Sequence, residues 1–97
     1  MIRTFADAAT ADLFNGVDSK AARTFAKALW TVIAKRLDAL NRATGLRDLQ
    51  AVHGHRLHAM HGGQQGRYSI RINQQYRLTF RFVNGDAYEV RCEDYHD

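Results

Sequence analysis

The hydrophobic period of this chain changes once, and that change sets what it can become. Up to about residue 52 apolar residues recur at three- and four-residue steps, and from Arg56 onward they alternate with polar ones. Helices come first and strands after, the pattern of an α+β domain whose helices pack on one face of an antiparallel sheet. The 97 residues leave room for a single domain, 1–97. A chain of this size buries only about 60 to 65% of the surface its unfolded form exposes, so the core is small. Hydrophobic residues at 45% and charged residues at 25% exclude collagenous and disordered classes.

Ile2-Arg3-Thr4-Phe5 reads as a short N-terminal strand. Asp7 is a candidate N-cap for a helix that runs to Asn15, where Gly16 stops it. Asp18 or Ser19 then caps the strongest helical segment, in which Ala22, Phe25, Ala26, Leu29, Ile33, Leu37 and Leu40 form one stripe. The spacing predicts one unbroken helix of about 24 residues, roughly 36 Å long. Thr44-Gly45 ends it, and Leu46, Leu49 and Val52 suggest one or two further turns. Beyond Arg56, Tyr68, Ile70 and Ile72 form one alternating set and Tyr76, Leu78, Phe80 and Phe82 another. Glycines at 62, 63 and 66, then Asn73-Gln74-Gln75 and Asn84-Gly85, separate the strands, the last pair being a strong hairpin signal. The two helices are expected to cover one sheet face, burying Trp30, Phe25, Ile33, Phe80 and Phe82. Cys92 alternates with Tyr88 and Val90 and reads as a small buried hydrophobe, with no partner for an internal disulfide. The N-terminal residues lack the apolar stretch of a signal peptide and no run is long enough to span a bilayer, so the expectation is a cytoplasmic protein without membrane contact.

Lys and Arg number 14 against 10 Asp and Glu, a formal charge of +4, and 11 of the cations are Arg. Arginine is the cation suited to forked contacts with phosphate. The excess is not gathered in a tail, so its orientation decides its use. Arg67, Arg71, Arg77, Arg81 and Arg91 fall on alternate positions opposite the apolar set, which places them on the free face of the sheet. A polyanion, and most simply the phosphate backbone of a nucleic acid, fits such a face.

His53, His55, His58 and His61 fall within nine residues. Their spacing matches no standard zinc pattern, and neither a metal nor another cofactor is expected. Imidazole moves protons near neutral pH without a metal, so acid–base work is the functional reading, with His53 and His55 read as surface loop residues. The chain closes on Glu93-Asp94-Tyr95-His96-Asp97, a carboxylate, a phenol and an imidazole directly after a strand. Phosphodiester cleavage needs a base for the 2′-hydroxyl proton, a cation for the developing phosphorane and an acid for the leaving oxygen. Imidazole, guanidinium and phenol supply all three.

These residues resemble the HigB branch of the RelE superfamily, the host-inhibition toxins of bacterial toxin–antitoxin pairs. The resemblance runs from Met1-Ile2-Arg3-Thr4-Phe5 through Arg36-Leu37-Asp38-Ala39-Leu40 and Arg56-Leu57-His58 to the last residues. The strand sequence S-I-R-I-N-x-x-Y-R-L-T-F-R-F, residues 69–82, and the terminal Glu93-Asp94-Tyr95-His96 carry it most specifically. It implies a RelE-like fold and a metal-independent endoribonuclease (mRNA interferase) that cleaves mRNA in the A site of the 70S ribosome. It also implies a HigA-type antitoxin partner, with operator DNA met only through that antitoxin. Carried over where the sequence matches, the catalytic set is His58, Arg77, Asp94, Tyr95 and His96, with His61 added as a stand-in; Arg67, Arg71 and Arg81, taken from the basic sheet face, are the RNA-binding candidates. His58 is placed in the first of the long strands. Arg77 would stabilise the phosphorane while His58, Asp94 and His96 position groups or transfer protons. Family members commonly read H-P-L-K-G where this chain has His58-Ala59-Met60-His61-Gly62. His61 therefore stands in the place of a lysine, an imidazole where the family has a fixed charge. Asp97 adds a negative group beyond the usual terminal histidine. The alternative reading is a catalytically weakened homologue that binds RNA or its antitoxin as a corepressor.

Overall fold

The computed structural model describes residues 1–63 and 65–95. Its helices are α1 (Ala8–Asn15), α2 (Lys27–Arg42) and α3 (Leu46–Gln50), and its strands are β1 (His58–Ala59), β2 (Arg67–Arg71), β3 (Tyr76–Val83) and β4 (Asp86–Asp94). The strands form one antiparallel sheet in the order β1-β2-β3-β4. The N-terminal segment extends it beyond β4 in parallel, through bridges Ile2 to Ala87 and Phe5 to Val90. Where that segment leaves the edge, the Thr10 hydroxyl of α1 accepts from the Cys92 amide at 3.0 Å, so the helix takes over the pairing. No described helix is long and apolar enough to cross a membrane.

Local chemistry explains most of the boundaries. Asp7 caps α1 by accepting from the Thr10 amide at 2.8 Å, and Gly16 ends it in the left-handed region at φ 71°. Asn84 and Gly85 turn the last hairpin with φ of 50° and 82°, both positive as a type I′ turn requires. A Cβ on Gly85 would stand 2.9 Å from the Thr44 carbonyl, so this turn needs glycine for space as well as for conformation. The Asn73 side chain accepts from the amides of Gln75 and Tyr76 at 2.9 and 2.7 Å, closing the β2–β3 turn.

The core comprises Leu13, Ile33, Leu37, Leu40, Leu49, Ile70, Leu78, Phe80 and Val90, all buried between the helices and one face of the sheet. Of the expected core, Ile33 and Phe80 are fully buried, whereas Phe25, Trp30 and Phe82 lie at its margin, half-buried. Cys92 is buried as expected, and burial first, then the nearby Asp7 and Glu93 carboxylates, pushes its thiol up to about 12. It is inert.

Four expectations are corrected. The long helix is broken: a short 3₁₀ turn, Ala22–Thr24, is followed by extended backbone at Phe25 and Ala26 before α2 begins at Lys27. The apolar stripe runs through the break unchanged, but Phe25 swings out to meet Tyr76 edge-on at 5.3 Å, and its freed carbonyl accepts from the Trp30 indole at 2.9 Å. Second, His58 lies in a strand of two residues rather than a long one. Third, His55 is not on the surface: it is 1% exposed, with Nδ1 3.0 Å from the Leu49 carbonyl. Burial lowers its pKa, that hydrogen bond opposes the shift and the Arg36 charge adds to it. Fourth, Tyr88 does not share the buried side with Val90 and Cys92. The β3–β4 register shifts between Thr79 and Arg81, so Thr79 faces Arg91 and Arg81 faces Tyr88. One extra residue in β4 reverses the alternation there, and Glu89 takes a φ of 54° to make the bulge.

Candidate functional site

The face of the sheet that the helices leave open is organised by its register. Antiparallel pairing sets Arg67 opposite Arg81, Ser69 opposite Thr79 and Arg71 opposite Arg77, while His58 of β1 pairs with Ser69. Partners across an antiparallel pair share a face, so a row of His58, Ser69 and Thr79 lies between two arginine pairs.

At one end, the cavity next to β1 has a volume of about 360 Å³ and is lined by His58, Ala59, Met60, His61, Ser69, Arg77 and Tyr95. Arg77 is its most constrained group. Its Nε donates to the Ser69 hydroxyl at 2.8 Å and its Nη2 donates to the Arg56 carbonyl at 2.6 Å. The guanidinium lies 5.7 Å from the centre of the Tyr95 ring, a cation–π contact. Burial lowers the Arg77 pKa; Tyr95 opposes that shift, and the like charges of Arg71 and Arg56 deepen it. The side chain stays cationic, because a guanidinium starts above about 12. A half-buried cation with a fixed fork, facing two imidazoles and a phenol, can stabilise an anionic phosphorus centre while protons move around it.

Four of the six expected catalytic residues, His58, His61, Arg77 and Tyr95, line this one cavity. Asp94 lies elsewhere: its carboxylate accepts from the Gln75 side chain at 3.0 Å, and it lines a different cavity with Phe25 and Tyr76. Strand alternation explains this, because Asp94 sits between Glu93 and Tyr95 and points to the other side. His96, like Asp97, lies outside the described residues. Among the described residues no three His, Cys, Asp or Glu side chains group closely enough to hold a metal ion.

The arginines expected to bind RNA divide into two kinds. Arg67 and Arg81 share the Glu89 carboxylate at 3.1 and 3.5 Å, and Arg81 also lies 5.1 Å from the Tyr88 ring. Arg91 is drawn to Asp7 at the start of α1, 3.4 Å away, and leaves the set. Arg71 lines a second cavity of about 270 Å³ beside Arg77, together with Arg56, Asn73, Gln74 and Tyr95. Two site residues had no functional reading in the sequence. Ser69 falls on the polar face by alternation between Arg67 and Arg71, so its place was legible although its bond to Arg77 was not. Arg56 takes a left-handed backbone, φ 45°, that no local signal announces.

The fold, helices on one face of an antiparallel sheet whose other face is open and basic, has a counterpart among solved structures. The chain is similar over 100% of its length to a chain of the YoeB–YefM complex from Staphylococcus aureus, with a TM-score of 0.61, 16% identity and 99% of that chain covered. That likeness is one of fold. A family model, described as the RelE-like toxin HigB of type II toxin–antitoxin systems, matches residues 3–96. The protein belongs to the HigB-like toxin family. Its relatives include Endoribonuclease HigB of Proteus vulgaris, 41% identical over 64 residues that cover 66% of this chain and 68% of that protein. Toxin HigB-1 of Vibrio cholerae serotype O1 is 34% identical over 70 residues, 72% of this chain and 74% of the other.

Proposed function

We propose that this toxin is a ribosome-dependent endoribonuclease that cleaves mRNA in the A site without a catalytic metal, arrests translation, and is silenced by a HigA-type antitoxin. The observation that carries the reading is the cavity in which Arg77, fixed by Ser69 and Arg56, faces His58, His61 and Tyr95. Its groups match the needs of phosphodiester cleavage one for one. His58 takes the proton of the 2′-hydroxyl, and the 2′-oxygen forms a bond to the adjacent phosphorus. Arg77 carries the charge that develops on the phosphorane oxygens. The bond from phosphorus to the 5′-oxygen breaks, and that oxygen takes a proton from His61, Tyr95 or His96, leaving a 2′,3′-cyclic phosphate and a 5′-hydroxyl. The donors in the cavity are imidazole, guanidinium and phenol, a set for moving protons rather than for holding a divalent ion. Asp94, on the far side of its strand, is proposed to position the C-terminal residues.

The small, open cavity fits a catalyst that relies on another body to hold its substrate. A ribosome that fixes and bends the mRNA supplies much of the orientation that a larger enzyme builds for itself. The name of the Proteus relative supports the chemistry, and the chain's place among type II toxins supports an antitoxin partner, through which operator DNA would be met. The test is purified protein with a short mRNA, with and without 70S ribosomes, mapping new 5′ ends and their end groups. Cleavage confined to A-site codons, with 5′-hydroxyl ends and none when the scissile nucleotide is 2′-deoxy, is the expected result. Ends bearing a 5′-phosphate would mean hydrolysis by another route. His61 in the lysine's place favours the second reading, a corepressor without chemistry. Growth arrest and antitoxin binding without cleavage would establish that reading instead.

A further inference from the structure

We propose that Arg56 and Arg71 form a second phosphate site beside the cleavage cavity, which holds the phosphate of a neighbouring nucleotide on the same RNA strand. This rests on the endoribonuclease reading, because it names where the rest of that substrate lies. Arg71 and Arg77 stand directly opposite each other on β2 and β3, and Arg56 lines the same second cavity as both, near enough for its charge to act on Arg77. Like charges placed directly opposite are unfavourable. Among the described residues none of these three arginines has a salt bridge, although Glu93 is paired with Arg77 in register. The Glu93 carboxylate turns instead to the Thr79 hydroxyl. Polar groups without charge, Asn73 and Gln74, complete the lining with Tyr95.

The backbone holds this arrangement in place at a cost. Arg56 adopts φ 45° and ψ 57°, a conformation that a side chain with a Cβ rarely takes, and this turns its carbonyl onto the Arg77 guanidinium. One residue thereby positions Arg77 through its main chain and offers its own guanidinium to the adjoining cavity. An anion settling there offsets the repulsion that the folded protein otherwise keeps. Two cationic cavities that share Arg77, His58 and Tyr95 suit two successive phosphates of a single strand, contacted through backbone charge without reading the bases.

The experiment measures binding of the full chain to a short single-stranded RNA with 2′-O-methyl groups, which cannot be cleaved, across a range of KCl concentrations. Arg56→Gly keeps the left-handed backbone, and with it the carbonyl that holds Arg77, while deleting only the cation. Arg56→Gly and Arg71→Gln are each expected to weaken binding about three- to tenfold and to lower the slope of log affinity against log salt by about 0.7, the loss of one phosphate contact. Arg56→Lys restores most of the slope, and Arg23→Gln, an exposed cation that pairs with Asp18 and lines neither cavity, serves as the unchanged control. Unaltered affinity and slope in both variants, with thermal unfolding showing both folded, would overturn the site, as would failure of the wild type to bind this RNA at low salt. A wild type that cleaves on ribosomes beside insensitive variants sinks the second site and leaves the function standing. The reverse pair of results keeps the site and removes the nuclease.

Discussion

Two arginine pairs lie on one sheet face in the same register, four residues apart along β2, and they have opposite fates. Arg67 and Arg81 are held by Glu89. Among the described residues no carboxylate holds Arg71 or Arg77 in this way, and Arg77 is tied to a neutral hydroxyl and a carbonyl. The difference comes from β4. At the Arg67–Arg81 end the strand bulges, and the extra residue carries Glu89 and Tyr88 to the arginine side. At the Arg71–Arg77 end β4 keeps its regular register and the facing acid, Glu93, is bonded to Thr79. A charged face is therefore not a uniform anion site. The bulge neutralises one end, and the other keeps positive charge next to the groups that can move protons.

Replacing His58 with Gln should produce the largest effect, because it removes the imidazole that stands beside Arg77 and leaves the arginine pairs intact. Single-turnover cleavage of A-site mRNA should fall about 10²- to 10³-fold, with ribosome binding unchanged. A loss of less than about tenfold would shift the base role to His61 or to His96. Ser69→Ala tests whether Arg77 must be fixed or merely present. Loss of the hydroxyl that accepts from Nε should lower the cleavage rate about tenfold with a small change in apparent affinity, and an unaltered rate would show that the Arg56 carbonyl suffices. Glu89→Gln probes the other arginine pair. It frees Arg67 and Arg81, so RNA affinity should rise about two- to fivefold and become steeper in salt, without faster cleavage. Unchanged affinity would mean that the bulge, and not the carboxylate, keeps that end out of use.

A second contrast lies within the histidine cluster. His58 is exposed in the site and His55, three residues earlier, is buried as a neutral ring against Leu49. Since the folded pKa of His55 is lowered, the unfolded chain takes up its proton first as pH falls. Its contribution to stability is complete above the ordinary imidazole value of 6.5 and is lost progressively below it. Thermal unfolding followed from about pH 7.5 to about pH 5.5 should show a falling midpoint, with a shallower fall in His55→Gln even though that variant starts lower. Equal slopes would assign the acid sensitivity to other groups.

Much of this was legible in the sequence, for reasons that particular residues make plain. The change of period placed the helices and the meander, Asn84-Gly85 placed the hairpin, and alternation put Arg67, Ser69, Arg71, Arg77 and Arg81 on one face. The rest depended on interactions distant in the chain. The apolar stripe continues through Phe25, and only the ring of Tyr76, on the sheet, gives that residue a reason to leave the helix. His55 looks like any loop histidine until α3 brings the Leu49 carbonyl to it. The bulge at Glu89 carries no glycine to announce it, so simple alternation put Tyr88 on the wrong side. Arg56 gives no sign of its left-handed backbone, since its reason is the guanidinium of Arg77, 21 residues away.

On the proposed function, the arginine pair that no described carboxylate holds, Arg71 and Arg77, is the reacting end of the basic face. Single-turnover cleavage of A-site mRNA by Arg77→Gln and Arg81→Gln, compared at one saturating protein concentration and with both variants shown to be folded, tests it directly. Arg77→Gln should lose about 10²- to 10³-fold while Arg81→Gln stays within about threefold of the wild type. Equal losses, or a larger loss in Arg81→Gln, would overturn that assignment and move the chemistry to the end that Glu89 holds.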